Sequence, residues 1–214
     1  MAATVAVLAA TAPSAAQGGM SLGAELWGGL PWNLPLPLRI EQSGEPPIRI
    51  TGRYETRPLD RPFYYRARAM VGVGARDEWA IELVHHKLYL LDAPREVQSF
   101  SVSHGYNLVL VSRGWDLGPV WLRAGPGAVI AHPESSVRGR VLDRHGGILG
   151  TGYYVAGGAI AAMGERRVTL AGRVYVALGA MVTAAYARVP IRDGHATVPN
   201  VAFHALAGLG VRGT

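Results

Sequence analysis

The sequence predicts an all-β fold, an eight-stranded antiparallel up-and-down transmembrane β-barrel with short turns at one end and longer loops at the other. Three observations carry this. Residues 77–115 hold two long runs with a period of two, and the second alternates Ser99, Ser101, Ser103, Gly105 and Asn107 with Phe100, Val102, His104, Tyr106 and Leu108. Alternation of that length is a strand signature. Apolar residues make up 49% of the chain and charged residues only 17%, lean in charge for a soluble domain, where about 25% is usual. The alternating segments are joined by connections that are tight and long by turns, the pattern of a barrel in a bilayer.

Taken in order, residues 1–16 read as an export signal. Val5 to Ala10 form a short apolar core, and Ser14, Ala15 and Ala16 are small residues ahead of Gln17. Residues 17–45 are a Gly/Pro-rich lead-in. Prolines 31, 35 and 37 argue against a central strand there and leave at most an irregular strand near Leu36–Glu41. The barrel is assigned to residues 46–214, with strands at 47–56, 63–73, 78–90, 97–112, 119–131, 152–163, 168–187 and 198–211. The connections GARDE, RGWDLG and GERR are tight. Those at 57–62, 91–96, 132–151 and 188–197 are longer or richer in Pro and charge. Tyr64, Tyr65, Tyr89, Trp115, Trp121, Tyr153 and Tyr154 fall near strand ends, as interfacial girdles do. No stretch reaches the ~18 apolar residues of a spanning helix, so a membrane span here has to be a barrel.

Composition also narrows function. There is no cysteine, which excludes disulfides, thiolate metal sites and Cys nucleophiles. The net charge is +6, almost all from arginine, and Lys87 is the one lysine. The arginines are scattered along alternating strands without a recognition motif, so no nucleic-acid partner is expected. Basic barrels suit a surface rich in lipid phosphates.

Over residues 46–212 this pattern resembles the small eight-stranded bacterial outer-membrane β-barrels. The resemblance implies an outer-membrane location, short periplasmic turns and extracellular loops. Two lipid A-modifying families of such barrels provide a comparison for catalysis. The deacylase family uses a His, a Ser two residues later and a Glu on a neighbouring strand; here Ser103 immediately precedes His104, which sends the two to opposite faces. The palmitoyltransferase family relies on an Asp-Ser pair and a His, and this chain has no Asp-Ser dipeptide. No G-x-S-x-G or phosphate loop is present, and no catalytic residue is assigned.

Eight strands close around a lumen that side chains fill. The expected lumen network is Arg66, Arg68, Glu82, His86, Ser101, Asn107, Arg123 and His204, with Arg49, Arg53 and Glu55 on the same inward set. Pairing across the 74–76 turn sets Glu82 beside Arg68. Pairing 90 with 97 sets His86 opposite Ser101, and pairing 111 with 119 sets Asn107 opposite Arg123. On the outward side, His85, Lys87, Tyr89, His104 and Tyr106 form an expected contact face for lipid or a partner. The same register leaves His132 near Gln98, roughly 20 Å from His104 at ~3.3 Å per residue, so neither a metal site nor a cofactor is expected.

The function these readings favour is a non-enzymatic outer-membrane barrel with a plugged polar lumen. It would act through its loops, above all residues 132–151, and its outward face, towards outer-membrane lipid or lipopolysaccharide or another membrane or surface protein. The alternatives are a lipid A-modifying enzyme and a soluble lipocalin-like binding barrel; the latter would need an apolar cavity where the charged inward set lies.

Overall fold

The computed structural model describes residues 20–73, 76–143 and 145–213; the expected signal at 1–16 lies outside the described residues. The strands are β1 (Met20–Asn33), β2 (Leu36–Gln42), β3 (Ile48–Glu55), β4 (Tyr65–Val73), β5 (Asp77–His85), β6 (Leu88–Leu91), β7 (Val97–Val102), β8 (Tyr106–Asp116), β9 (Trp121–Ala131), β10 (Glu134–Val137), β11 (Arg140–Val141), β12 (Tyr154–Ala171), β13 (Val174–Ile191) and β14 (Gly194–Arg212). A single 3₁₀ turn at Ile148–Gly150 is the helical element among the described residues, and no helix there is long and apolar enough to cross a membrane.

Eight of these strands close into an antiparallel barrel in the order β1-β4-β5-β8-β9-β12-β13-β14, and β14 returns to β1 with Leu26 opposite Leu209. The other six continue from β14 in the order β2-β3-β6-β7-β10-β11 and form an outer sheet above one mouth. That sheet curls back on itself. Gln42 Nε2 donates to the carbonyl of Val137 at 3.3 Å, and Arg140 reaches Glu45 at 3.2 Å. The facing ends of β4 and β5, the tight connections at 117–120 and 172–173 and both described chain ends lie at the opposite mouth.

The barrel's outer surface is apolar. Leu26, Val73, Ile81, Val111, Leu122, Ile160, Leu178 and Leu209, one from each barrel strand, are all exposed. Their neighbours across the wall are buried and include Arg68, Glu82, Arg123 and Glu165. A soluble sheet would have the reverse polarity, and a lipid-facing barrel has this one.

The first barrel strand was not legible from its composition. β1 occupies Met20–Asn33, inside the stretch expected to be a lead-in, and the segment expected as the first strand, 47–56, is β3 of the outer sheet. Pro31 is tolerated because the β4 ladder ends at Trp27–Arg66, so at Pro31 the strand pairs on one side only, with His204 of β14. A missing N–H costs no ladder bond at such an edge. Pro190 and Pro199 obey the same rule. Pro190 lies beyond the last β12 partner of β13, and Pro199 lies in the gap between the β1 and β2 ladders of β14.

Two expected strands are broken. Residues 78–90 divide into β5 and β6 around His86 and Lys87, and residues 97–112 divide into β7 and β8 around Ser103–Gly105. Gly105 has φ +134° and its missing Cβ would collide with the Asn107 side chain. It is therefore a hinge that only glycine fills easily. The alternation keeps its phase across it: Phe100 and Val102 before the break, and Tyr106, Leu108, Leu110 and Ser112 after it, are all buried, while Val109 and Val111 point outward. The large residues of this run therefore face inward, opposite to the expected face. GERR, expected to be a turn, lies inside β12, and the turn is Gly172-Arg173.

Candidate functional site

The lumen is filled in layers. At the tight-turn end four arginines, Arg66, Arg68, Arg123 and Arg167, meet four glutamates, Glu25, Glu78, Glu82 and Glu165. Arg66 Nε donates to Glu82 at 2.7 Å. Arg68 donates to Glu25 and, at 2.7 and 2.8 Å, to both Glu165 oxygens. Arg123 reaches Glu78 at 2.7 Å, and Arg167 reaches Glu78 at 2.7 Å and Glu165 at 2.8 Å. Tyr175 and Trp27 donate to Glu25. Equal numbers of opposite charges with hydrogen bonds on the carboxylates are what a buried cluster requires. Between Arg66, Glu82, Ser112 and Arg123 lies a cavity of about 10 Å³, room for one water at most.

Above this layer His204 sits between Tyr64 Oη at 2.9 Å and Thr183 Oγ1 at 3.0 Å, and His86 Nε2 lies 2.9 Å from Asn33 Oδ1. Higher still the interior turns apolar, with Leu38, Ile40, Leu88, Val102, Val137 and Val198 buried inside the outer sheet.

Of the expected lumen residues, Arg66, Arg68, Glu82, His86, Arg123 and His204 are buried inside. Arg68 does face Glu82 in the ladder, although Glu82 bonds Arg66 instead. Ser101 and Asn107 are corrections. Ser101 lies in β7 of the outer sheet opposite Tyr89 and Glu134. Asn107 lies opposite Ile130 and faces out to His85 Nδ1, 2.7 Å away. Arg49 and Arg53 are exposed on β3 rather than inward, and Glu55 is half-buried there. Glu25, Glu78, Glu165 and Arg167 complete the network and were not foreseen, because Glu25 fell in the lead-in and Glu165 and Arg167 in a supposed turn.

The expected outward face does not form one surface. His85 faces out, but Asn107 and the stacked ring of Tyr65 cover it. Lys87 is buried and its Nζ donates to the carbonyl of Asp60 at 2.8 Å. Tyr89 is half-buried under the Arg57 guanidinium. Tyr106 is fully buried, and its hydroxyl donates to the Val198 carbonyl at 3.0 Å. His104 alone is exposed. Tyr106 is buried because it shares the face of Phe100, Val102 and Leu108, which turns inward, and Lys87 because it lies in the break after His86.

No family model and no curated protein matches the chain. Among solved structures it is similar to Neisserial surface protein A, NspA, at 10% identity, covering 90% of this chain and 96% of that one, with a TM-score of 0.40. It is also similar to Ail, the attachment invasion locus protein of Yersinia pestis, at 10% identity over 92% and 99% of the two chains, TM-score 0.39. The same Ail protein in complex with the heparin analogue sucrose octasulfate gives 10% identity, the same coverage and 0.40.

Two arrangements at the rim remain. The first is an exposed cross-strand row. Arg188 of β13 faces Thr197 of β14, Thr197 faces Arg39 of β2, and Arg39 faces Arg49 of β3. Tyr186, 63% exposed and two residues before Arg188 on the same face, marks the upper edge of the apolar belt. Glu41 partly neutralises the row by holding Arg39 and His195. Like charges directly opposite each other, as at Arg39 and Arg49, destabilise a ladder.

The second arrangement corrects the expectation that His104 and His132 are far apart. Their ring centroids are 4.9 Å apart, because the β7–β8 break and the Tyr106–Ala131 pairing bring them together. Glu134 joins them, with Oε1 3.6 Å from His104 Nδ1. Ser103 Oγ donates to Glu134 Oε2 at 2.6 Å and lies 3.1 Å from His104 Nδ1. The order is therefore carboxylate–serine–histidine. A hydrolytic triad needs the histidine between serine and carboxylate; here the hydroxyl proton is committed to Glu134. Farther along the same connection the Asp143 carboxyl is held below its ordinary range by the backbone N–H of His145, 2.9 Å away, and by the His145 ring.

Proposed function

We propose that this protein is a bacterial outer-membrane barrel that conducts no solute and acts through its outer rim, where it binds the phosphates of lipopolysaccharide. The observation that carries the reading is the row Arg188–Thr197–Arg39–Arg49, exposed directly above an apolar belt. An arginine pair set opposite each other on a ladder is relieved by an anion between them, and guanidinium–phosphate bonds are charge-assisted and often bidentate. The height of the row suits a headgroup, because Tyr186 below it occupies the position of an interfacial aromatic. The filled lumen, closed below by the Arg–Glu cluster and above by apolar side chains, supports a structural or interaction role over transport.

The test is lipopolysaccharide retention. The protein is extracted in mild detergent, and bound lipid A is quantified by mass spectrometry. The triple variant Arg39→Gln, Arg49→Gln, Arg188→Gln is expected to retain several-fold less than the wild type, while Arg173→Gln, in the β12–β13 turn at the opposite mouth, retains as much. Equal retention by the triple variant and the wild type contradicts the reading.

A further inference from the structure

We propose that His104, His132 and Glu134 bind a zinc ion at the outer rim. The candidate donor atoms of these three residues all lie within 4.8 Å of one another. In a tetrahedral site with metal–ligand distances of about 2.0–2.2 Å, neighbouring donors stand roughly 3.4 Å apart. The His104 Nδ1 to Glu134 Oε1 separation of 3.6 Å is close to that value. Two imidazoles and one carboxylate favour zinc over calcium or magnesium, which take oxygen ligands.

The surroundings fit a site whose parts are held in place. Ser103 donates to the Glu134 oxygen Oε2, which leaves Oε1 to face the histidines. A hydrogen bond that orients a ligating carboxylate is the usual support of a metal ligand. The His132 backbone N–H donates to the Gly105 carbonyl at 3.0 Å, and Tyr153 Oη donates to the His104 carbonyl at 3.0 Å. These bonds hold both histidine-bearing segments. His104 is half-exposed, with 53% of its side-chain surface open, so a fourth position faces outward for water or a headgroup oxygen.

The location gives the ion a role. His104 lies where β7 of the outer sheet passes into β8 of the barrel, and His132 where β9 of the barrel passes into β10 of the outer sheet. One ion bonded to both junctions would clamp the outer sheet to the barrel, and it would stabilise the folded state because the unfolded chain does not preform the site.

The experiment uses the tag-free full-length protein in detergent, stripped with chelator and titrated with zinc by calorimetry. The expected result is one zinc per chain with micromolar or tighter affinity, a higher melting temperature, and no response to calcium or magnesium. His104→Ala, His132→Gln and Glu134→Gln should each weaken zinc at least tenfold, and Ser103→Ala severalfold. His145→Ala should change nothing. Cobalt should give a tetrahedral visible spectrum that His132→Gln abolishes, and heat-modifiable migration reports whether each variant is folded. Absence of binding at 100-micromolar zinc (on the order of the weakest site worth the name) overturns the proposal. Undiminished binding by the folded His104, His132 and Glu134 variants overturns it equally.

Discussion

Arg68 and Glu165 meet inside the barrel with both carboxylate oxygens 2.7–2.8 Å from one guanidinium nitrogen. They are 97 residues apart in sequence, and the same guanidinium also holds Glu25. One buried cation thus ties β1, β4 and β12 together. Removing one partner of such a group leaves an uncompensated buried charge, which costs about 3–5 kcal/mol. Glu165→Gln should therefore lower unfolding free energy by roughly that amount. Asp92→Asn, at an exposed pair with Arg53, should change it by about 0–1 kcal/mol. Urea unfolding in lipid vesicles makes the comparison; equal and small effects would mean the cluster is hydrated.

The seam between β1 and β14 makes the barrel a closed ring. Leu26 and Leu209 stand opposite each other there, both on the outer face, while Val211 faces Ala24 two positions away. Opposed residues on a ladder have Cβ atoms about 4.5–5.5 Å apart and diagonal ones lie farther. The chain has no cysteine, so introduced pairs report cleanly. Leu26→Cys with Leu209→Cys should cross-link on oxidation, and Leu26→Cys with Val211→Cys should not. Efficient cross-linking of the second pair alone would show a different register.

A lumen packed with four ion-paired arginines leaves no path for ions. Protein inserted into planar bilayers should show no single-channel steps at 100 mV, a potential worth about 2.3 kcal/mol per elementary charge and too weak to break the buried pairs. Stable, uniform conductance steps would require a rearranged interior.

The outline of this fold was legible because period-two alternation and low charge survive in the strands that stay regular. The Arg68–Glu82 register is legible because only three residues separate their strands in sequence. Strand β1 was hidden, since Pro31 normally rules out a central strand, and only the ladder ending at Trp27 makes it acceptable. Glu25 was lost with it. The rim cluster was hidden by the break at Gly105 and by the face of the run, since Phe100, Val102, Tyr106, Leu108 and Leu110 all turn inward; β8 pairs with β9 seven residues away from the expected register, so that Asn107 faces Ile130 and not Arg123. Glycine in a strand hints at a break, but this sequence also carries glycines such as Gly208 that stay in register. Gly208 makes room for the Trp27 ring, which would stand 2.6 Å from an added Cβ. The sequence alone does not separate the two uses.

Single-cysteine labelling on intact cells tests most directly that the chain spans the outer membrane with its outer sheet outside. Arg192→Cys at the β13–β14 turn, Gly172→Cys at the opposite mouth and Ile160→Cys on the apolar belt are each exposed to a maleimide that cannot cross membranes. The account predicts that Arg192→Cys reacts at once, Gly172→Cys only after the outer membrane is permeabilised, and Ile160→Cys only after extraction from lipid. Immediate reaction at all three positions, with the protein recovered in a detergent-free soluble fraction, would contradict it.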